Sequence, residues 1–551
     1  MPSLIRKLGV VAALGLLISC RQPSPDAAAP ALGQILSAQA PFSVKSGVWS
    51  DVRAFYRRRD GRPAWIAGIK PAPRADAALT VIRAARADGL VAADYDERDL
   101  TARASDLRSV SALEAASQPD AIKRAAEFDA RLTTALLAFG RDVAVGHGSP
   151  ADFEPAWKAR RSVPDLPGTL AQAADGDLNR WLSAIRPQHP EYAALQKTLA
   201  SLYALQDTGG WPGVTAKSVS PSDSGAAVVE LRRRLAATGE IGAGSNDTRD
   251  SPVYDAALQT AVHVFQEHHA IKPTGIADAA TIAALNQPID ARIAQIASNL
   301  ERWRWLPDDF GPRYLLVNIP AYHVVAREDG RTVLNIRVIV GKTDHRTPVF
   351  SSVMTTVVFS PYWNIPDTIV QGETVPALAK DPKYLEKNQI EIVRRGKDGS
   401  VTVVDPSKVR WNDPDELRVL AFRQRPGPKN ALGHVSFMFP NPFDVYMHDT
   451  PADELFAQPG RALSHGCIRV EQPEDLAKYV LRGDPEWDDA AKIEDAMNAG
   501  VEKQVALKQR IPVHIVYFTT WSDEDGGVWW YPDIYGYDST ATRPAAETGT
   551  K

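Results

Sequence analysis

Two short runs decide how this chain is read: Tyr446-Met-His-Asp-Thr450 and, after a spacer, Ser464-His-Gly-Cys-Ile-Arg-Val470. They contain Cys467, one of two cysteines in 551 residues, and two of the eleven histidines, His448 and His465. A thiol attacks as its thiolate, so its site must supply a base or lower its pKa, and histidine is the side chain suited to that near neutral pH. If Phe443 to His448 ends one strand and Ile468 to Val470 starts another, the turn between them brings imidazole and thiol together. The run His465-Gly466-Cys467 supplies backbone N–H groups beside the nucleophile, and Gly466 permits the backbone angles and close approach an oxyanion hole needs. A lone cysteine is often a buried core residue. Its setting inside Ser464-His-Gly-Cys-Ile-Arg469, with His448 upstream, favours the nucleophile over that plainer role.

Outward from these runs the periodicity is that of strands. Tyr314 to Ile319, His323 to Arg327, Val333 to Val340 and Thr355 to Phe359 are β-rich, and Asp329-Gly330 is a hairpin signal. Ile511 to Thr520 reads as a last strand. A mainly β domain is therefore expected over 313–538. It is interrupted at about 367–424 by a stretch too long for an ordinary loop, bracketed by Trp363-Asn-Ile-Pro366 and Arg425-Pro-Gly-Pro-Lys-Asn430. The expected contents are a helix over Thr374 to Lys380, a charged loop over Arg394 to Ser400 and a helix near Asp415 to Phe422. We read this insertion as a lid near the reactive thiol.

Upstream the patterns turn helical. Ile289, Ile293, Ile296, Leu300 and Trp303 form the apolar seam of a scaffold helix, with a linker, over 289–312. Residues 216–288 show three helices, with Asp255 and Asp278 where N-caps would fall. His263, His268 and His269 in this segment lack a carboxylate or cysteine at ligand spacing and read as solvated helix residues. Residues 43–215 form a helical scaffold, marked by Phe128, Leu132, Leu136 and Phe139 at helical spacing. Its run from Phe55 to Trp65 carries no obvious chemistry. Residues 20–42, rich in Ala, Pro and Ser, read as a flexible tether, and 539–551 as a disordered tail.

At the N-terminus, Arg6 and Lys7 precede an apolar run from Leu8 to Ile18 that is too short to span a bilayer. Leu17-Ile-Ser-Cys20 then resembles a bacterial lipobox. That resemblance implies a signal peptide over 1–19, acylation of Cys20 and a lipid-anchored periplasmic protein. Arg21, in place of an Asp, leans toward the outer membrane. If Cys20 carries lipid, Cys467 has no intramolecular partner in an oxidising compartment, which points to reactivity.

The net charge of −4, with no dense Lys/Arg block, gives no footing for a nucleic-acid partner. No zinc-ligand spacing and no phosphate-cradling glycine loop occur.

The pattern His448…Ser464-His465-Gly466-Cys467-Ile468-Arg469 resembles the L,D-transpeptidase family with its YkuD-type catalytic domain. The runs Arg425 to Val435, Phe439 to Asn441 and Tyr446 to Pro451 agree with it. Residues 216–288, with Tyr254-Asp255, Phe265-Gln266, Gly275-Ile276 and Leu285-Asn286, resemble peptidoglycan-binding domain 1. Together with the helical region and the insertion, the likeness is to the large scaffold-bearing Gram-negative members. It implies a multidomain α+β fold: a mainly β catalytic domain with a helical/loop lid insertion, a helical scaffold and a three-helix peptidoglycan-binding domain. It also implies Cys467 as nucleophile and His448 as its base. The carbonyl of Asp449 would orient the imidazole, although the Asp449 side chain remains an alternative, as in a triad. His465 and Gly466 would bind the oxyanion, and Tyr446, Ser464, Arg469, Trp363 and Asn430 would contact substrate.

The implied reaction transfers an acyl group from a tetrapeptide stem to a diaminopimelate amine, releasing D-alanine and forming 3-3 cross-links, and carbapenems would acylate the thiol. The family resemblance implies that this reaction needs no metal or organic cofactor. Partners implied are peptidoglycan stem peptides, a membrane through the lipid anchor, and a functional link to other cell-wall synthases and D,D-carboxypeptidases. Two alternatives keep other outcomes open. The same thioester could pass to water or to an envelope-protein lysine, or the chain could be a non-catalytic wall-binding lipoprotein.

Overall fold

The computed structural model describes residues 26–40, 42–44, 47–111, 119–153, 161–241, 250–396, 400–411, 413–522 and 527–538. The expected signal peptide, Cys20 and the tail over 539–551 lie outside the described residues. No described helix is long and apolar enough to cross a membrane. The chain divides into two compact units.

The first unit is built from the described residues of Met1–Arg86, Leu90–Ala144 and Val163–Arg186. It is helical, and its long helix Pro119–Val145 buries Phe128, Leu132, Leu136 and Phe139 completely. The run from Phe55 to Trp65, chemically silent in the sequence, wraps a buried carboxylate on that helix. Asp129 accepts from Tyr56 Oη (2.6 Å) and from the amides of Ala64 (3.0 Å) and Trp65 (2.6 Å), while Trp65 Nε1 donates to Thr133 Oγ1 (2.8 Å). Burial still pushes the Asp129 carboxyl up. Asp129→Ala would strand three buried donors at once. We expect it to cost about 3–5 kcal/mol, read as the shift in a denaturant midpoint; a change below about 1 kcal/mol would contradict this reading. The tether expectation for 20–42 is corrected in part. Ala29–Ser37 is a helix with Pro30 in its first turn, and Ala28 and Leu32 are fully buried.

The second unit comprises Ala87–Gly89, the described part of Val145–Ser162, and Pro187–Lys551 as far as residue 538. The helix Pro190–Asp207, which the sequence grouped with the scaffold, belongs here. Its Tyr192, Leu195, Leu199 and Leu202 share one core with Ile293, Ile296, Leu300 and Trp303 of the helix Ile289–Arg304.

Residues 216–288 form the expected three helices, Ala226–Thr238, Ala256–His268 and Ala279–Leu285. Asp255 and Asp278 cap the last two, accepting from Leu258 N and Thr281 N at 2.9 Å each. The Phe-Gln and Gly-Ile positions of the motif are explained by one amide. Buried Gln266 donates to Ile276 O (2.8 Å) and Thr281 Oγ1 (2.9 Å) and accepts from Thr274 N (2.9 Å) and Gly275 N (3.0 Å). Gly275 has φ +67°, and a Cβ there would lie 2.5 Å from His263 Nε2, so only glycine fits.

The nine-stranded sheet runs in the order Ala462–Ser464, Arg331–Gly341, Ile468–Val470, Met447–His448, Val435–Met438, Phe350–Phe359, Lys503–Val516, Arg313–Asn318, His323–Glu328. His323–Glu328 also pairs with Arg331–Gly341, so eight of the strands close on themselves and leave few free edges. Inside lie Val338, Val357, Phe437, Met447, Ile468 and Val513, all at most 1% exposed.

The insertion has the expected helical turns, over 367–380 and Tyr384–Lys387, but it also contains a sheet that was not expected. It is a four-stranded antiparallel sheet in the order Trp363–Ile365, Leu420–Gln424, Ile390–Arg395, Val401–Val404. Its own apolar core contains Ile365, Ile392, Leu420 and Phe422. The expected second helix is confined to Pro414–Leu417. Leu420, Phe422 and Gln424 are buried alternately, a period-two pattern that a helical reading of this charged stretch overlooked. The charged loop over Arg394 to Ser400 is the tip of the hairpin joining Ile390–Arg395 to the edge strand Val401–Val404, with 397–399 outside the described residues. A helix does cover Val375–Lys380, preceded by a wide π turn over Val370–Thr374.

Candidate active site

The two runs that opened the reading sit side by side. Met447–His448 and Ile468–Val470 pair in parallel, with Met447 opposite Ile468 and His448 opposite Arg469, and Ile468 N donates to Tyr446 O (3.1 Å). Alternation therefore sends Met447, Ile468 and Val470 into the core and leaves Tyr446, His448, Cys467 and Arg469 on the other face. The strand expected over Phe443 to His448 is shorter than predicted. Asn441 folds 439–445 into a turn, donating to Phe439 O and Val445 O (2.7 Å each) and accepting from Phe443 N and Val445 N.

His448 is buried, and its Nδ1 lies 2.5 Å from Asp449 O. A carbonyl can only accept, so Nδ1 carries the proton and Nε2 holds the basic lone pair. Burial pushes the imidazole down to about 4, with the Arg469 charge adding to the effect. The Asp449 carboxylate does not touch the imidazole. Its oxygens accept from His434 N and Thr450 N, at 2.7 Å each. Of the two orienting groups left open by the sequence, the geometry is that of the carbonyl. The Ala-Leu-Gly-His run explains itself here: a Cβ on Gly433, φ +60°, would lie 2.2 Å from Asp449 Oδ2.

Cys467 is half-buried, and its thiol sits 3.8 Å from Asp444 O. Burial raises the thiol pKa, opposed by the Tyr446 backbone and the Arg469 charge. Both shifts favour the neutral forms, thiol and imidazole. Arg469 makes no ion pair among the described residues and lies half-buried on the same face, its pKa lowered by burial. Tyr446, whose ring centroid is 5.7 Å from that of His448, is also pushed up by burial.

The turn before the nucleophile is held from both ends. Ser464 Oγ donates to Cys467 O (2.6 Å) and accepts from Gly466 N (3.1 Å), while Thr347 Oγ1 donates to Gly466 O (2.7 Å). This corrects two expectations. The Gly466 amide is already committed, so Gly466 contributes its φ of +117° rather than an oxyanion donor. Ser464, 2% exposed, shapes the turn and is not placed to contact substrate. The amides of His465 and Cys467 have no protein acceptor among the described residues and remain the candidate donors. Asn430 is corrected as well. Fully buried, it donates to Pro361 O (2.9 Å) and Arg425 O (3.0 Å) and accepts from Leu432 N (2.7 Å), which makes it a corner residue. Trp363 is half-buried against the core of the insertion.

Sequence reasoning missed several residues here, because no local signal marks a contact made across the fold. Thr347 is one. Tyr535 is another: its hydroxyl donates to Gly341 O (2.5 Å) and accepts from Thr347 N (3.1 Å). The third is Glu373, on the π turn of the insertion, whose Oε1 stands 3.0 Å from His465 Nε2. That contact brings the insertion against the nucleophile's loop. Burial lowers the His465 pKa and the Glu373 carboxylate opposes it, favouring the imidazolium. Glu373→Gln should therefore move the His465 titration to lower pH. Ring-proton NMR, assigned with His465→Gln, would read it; an unmoved or raised midpoint would contradict the contact.

Among the described residues no group of His, Cys, Asp and Glu could hold a metal ion. A thiol and an imidazole on one sheet face are groups able to carry out nucleophilic acyl transfer.

Residues 312–487 match the family model of the L,D-transpeptidase catalytic domain (YkuD), residues 224–285 that of a peptidoglycan binding domain, and residues 50–199 that of a scaffold domain. A protein of Haemophilus influenzae named as an L,D-transpeptidase is 35% identical over 244 residues, 44% of this chain. The chain spans about half the length of that relative, 48% of it. Among solved structures, similarity is found to an L,D-transpeptidase from Mycobacterium smegmatis, 16% identical, with a TM-score of 0.18, over 37% of this chain and 58% of that one. An L,D-transpeptidase from Xylanimonas cellulosilytica is 14% identical, with a TM-score of 0.17, over 55% of this chain and 98% of that one.

Proposed function

We propose that this chain, which carries an L,D-transpeptidase (YkuD) catalytic domain together with peptidoglycan-binding and scaffold domains, cross-links peptidoglycan through a thioester on Cys467. The observation that carries this reading is the single sheet face shared by Cys467, His448 and Arg469, with the basic lone pair of His448 on Nε2.

His448 Nε2 takes the thiol proton as Sγ attacks the carbonyl after meso-diaminopimelate in a tetrapeptide stem. The oxyanion is met by the amides of His465 and Cys467. The bond to the terminal D-alanine breaks, and its amine leaves with the proton held by His448. The side-chain amine of a second diaminopimelate then attacks the thioester and gives its proton to His448, which returns it to the departing thiolate. The product joins the third residues of two stems. Arg469 is suited to hold a stem carboxylate, and Tyr446 stands beside the thiol on the same face; Trp363 is the further residue proposed to hold the donor stem. No cofactor enters any step. Anchoring through Cys20 on the periplasmic side of the outer membrane, a supply of tetrapeptides from D,D-carboxypeptidases, and acylation of the thiol by carbapenems belong to the same proposal.

Mass spectrometry of purified tetrapeptide stems incubated with the full chain tests it. Dimers lacking one D-alanine are expected. Tripeptides alone would replace cross-linking by hydrolysis, and transfer only to a protein lysine would make this an anchoring enzyme. Stems left unchanged would leave a wall-binding protein.

A further inference from the structure

Gly466 and Cys467 share one peptide unit, and a peptide unit is planar and trans. Its carbonyl and its N–H therefore point in opposite directions, so whatever fixes the Gly466 carbonyl also aims the Cys467 amide. Thr347 fixes that carbonyl, its Oγ1 donating to Gly466 O at 2.7 Å. A hydroxyl has one proton to give. Fully buried Thr347 gives it here, and accepts from Gly341 N (2.8 Å). The bond also polarises the peptide unit, which makes the Cys467 N–H a stronger donor.

Thr347 is held in turn by a residue from the far end of the chain. Tyr535, 4% exposed, donates to Gly341 O (2.5 Å) and accepts from Thr347 N (3.1 Å). Three residues thus close a ring of hydrogen bonds at the base of the loop 341–347. The loop is tight: a Cβ on Gly341 would lie 2.1 Å from His345 O. Within it Arg346 lies over the rings of Tyr535 and Tyr537 at 5.4 and 5.0 Å. Burial pushes the Tyr535 hydroxyl up to about 12, so it stays a donor near neutral pH.

Tyr535 lies outside the stretch matched by the catalytic-domain model, 312–487. Its own segment is firmly tied. Tyr535 N donates to Tyr517 Oη (2.8 Å), which donates to Asp533 Oδ1 (2.6 Å). Asp538 pairs with buried Arg302 of the helix Ile289–Arg304 (2.8 Å) and accepts from Thr519 Oγ1 (2.9 Å). Just upstream, Trp529 meets His268 and Trp530 meets His269, with ring centroids 5.1 and 6.3 Å apart. This corrects one expectation, since His269 is not a solvated residue but stacks on Phe265 at 3.8 Å.

We propose that Thr347 and Tyr535 are positioning residues for acyl transfer: Thr347 aims the Cys467 N–H at the developing oxyanion, and Tyr535, delivered by the C-terminal segment, holds Thr347 in place. Resting on Cys467 as the acyl-carrying nucleophile, this assignment divides the site's work in two. Generating the thiolate belongs to His448. Stabilising a tetrahedral oxyanion belongs to the peptide plane between Gly466 and Cys467. Among the described residues neither Thr347 nor Tyr535 hydrogen-bonds His448 or the Cys467 thiol.

Two probes of Cys467 in the full chain read these properties apart. p-Nitrophenyl acetate acetylates the thiol through a tetrahedral oxyanion and releases p-nitrophenolate. Iodoacetamide alkylates it by displacement of iodide from a saturated carbon, with no oxyanion. Neither probe is a stem peptide, so the outcome is independent of whether tetrapeptides are cross-linked. Rates are taken as the excess over Cys467→Ala. Thr347→Val should slow acetylation on the order of tenfold to a hundredfold, less than outright loss of an oxyanion donor, and leave alkylation within about twofold of the parent. Tyr535→Phe should act in the same direction to a smaller degree, and Thr347→Ser, which keeps the hydroxyl, should restore most of the acetylation rate. Unfolding midpoints keep loss of fold apart from loss of position, and Tyr535→Phe, which lacks a single oxygen, decides the matter if Thr347→Val does not fold. Acetylation equal to the parent's in a folded Thr347→Val or Tyr535→Phe, a parallel fall in alkylation, or a parent acetylated no faster than Cys467→Ala would each overturn the proposal.

Discussion

Replacing Cys467 by serine is expected to lower acyl transfer by at least ~10⁴-fold, with the unfolding midpoint nearly unchanged. The side chain is half-buried, and its recorded contacts are the Asp444 carbonyl and the Tyr446 backbone, so an oxygen in place of sulfur disturbs little packing. The chemistry changes far more. An imidazole whose pKa is pushed down to about 4 is a weak base. It can take a proton from a thiol during attack, but a hydroxyl is several pH units less acidic and far harder to activate. Steady-state release of D-alanine from tetrapeptide stems measures the loss. A serine variant that keeps more than a few per cent of the rate would contradict the nucleophile.

Replacing His448 by glutamine should cost about 10²–10⁴-fold in kcat, because His448 is the imidazole that the paired strands place on the face of the thiol. The same substitution has a signature in stability that reports the buried neutral imidazole itself. His448 titrates near 4 in the folded chain and at its ordinary value of 6.5 when exposed. Between those values the unfolded chain binds a proton at this position and the folded chain does not. Stability therefore falls as pH is lowered from 6.5 to 4, by a few kcal/mol at the lower end, and is fully present above 6.5. His514, also held near 4 by burial, adds a second contribution of the same sign. Thermal unfolding followed from pH 7 to pH 4 should show a shallower decline for His448→Gln than for the parent. Parallel declines would mean that His448 is not buried in its neutral form.

Much of this site could be read before any coordinates. Cys467, His448 and Arg469 stand where alternation along two short strands puts them, and strand periodicity is a local property of sequence. The N-caps at Asp255 and Asp278 were legible for the same reason, since a cap is satisfied within its own first turn. The misreadings have a common physical cause. Ser464, Gly466 and Asn430 look like binding groups in a motif, but which acceptor takes a hydroxyl or amide proton depends on backbone brought in from elsewhere. In this fold their hydrogen bonds close turns. Glu373, Thr347 and Tyr535 were invisible because each meets the motif only through the closed sheet or the insertion. The sheet within the insertion was overlooked because the alternation of Leu420, Phe422 and Gln424 is only five residues long and its third buried position is a polar glutamine.

The central claim is that a peptide acyl group is carried on Cys467. Intact-mass measurement of the full chain quenched during turnover of tetrapeptide stems, followed by peptide mapping, tests it most directly. A mass increase equal to the stem less its terminal D-alanine, located on the peptide containing Cys467 and released by hydroxylamine, is the predicted result. Turnover with no adduct on Cys467, or an adduct on any other residue, would contradict it.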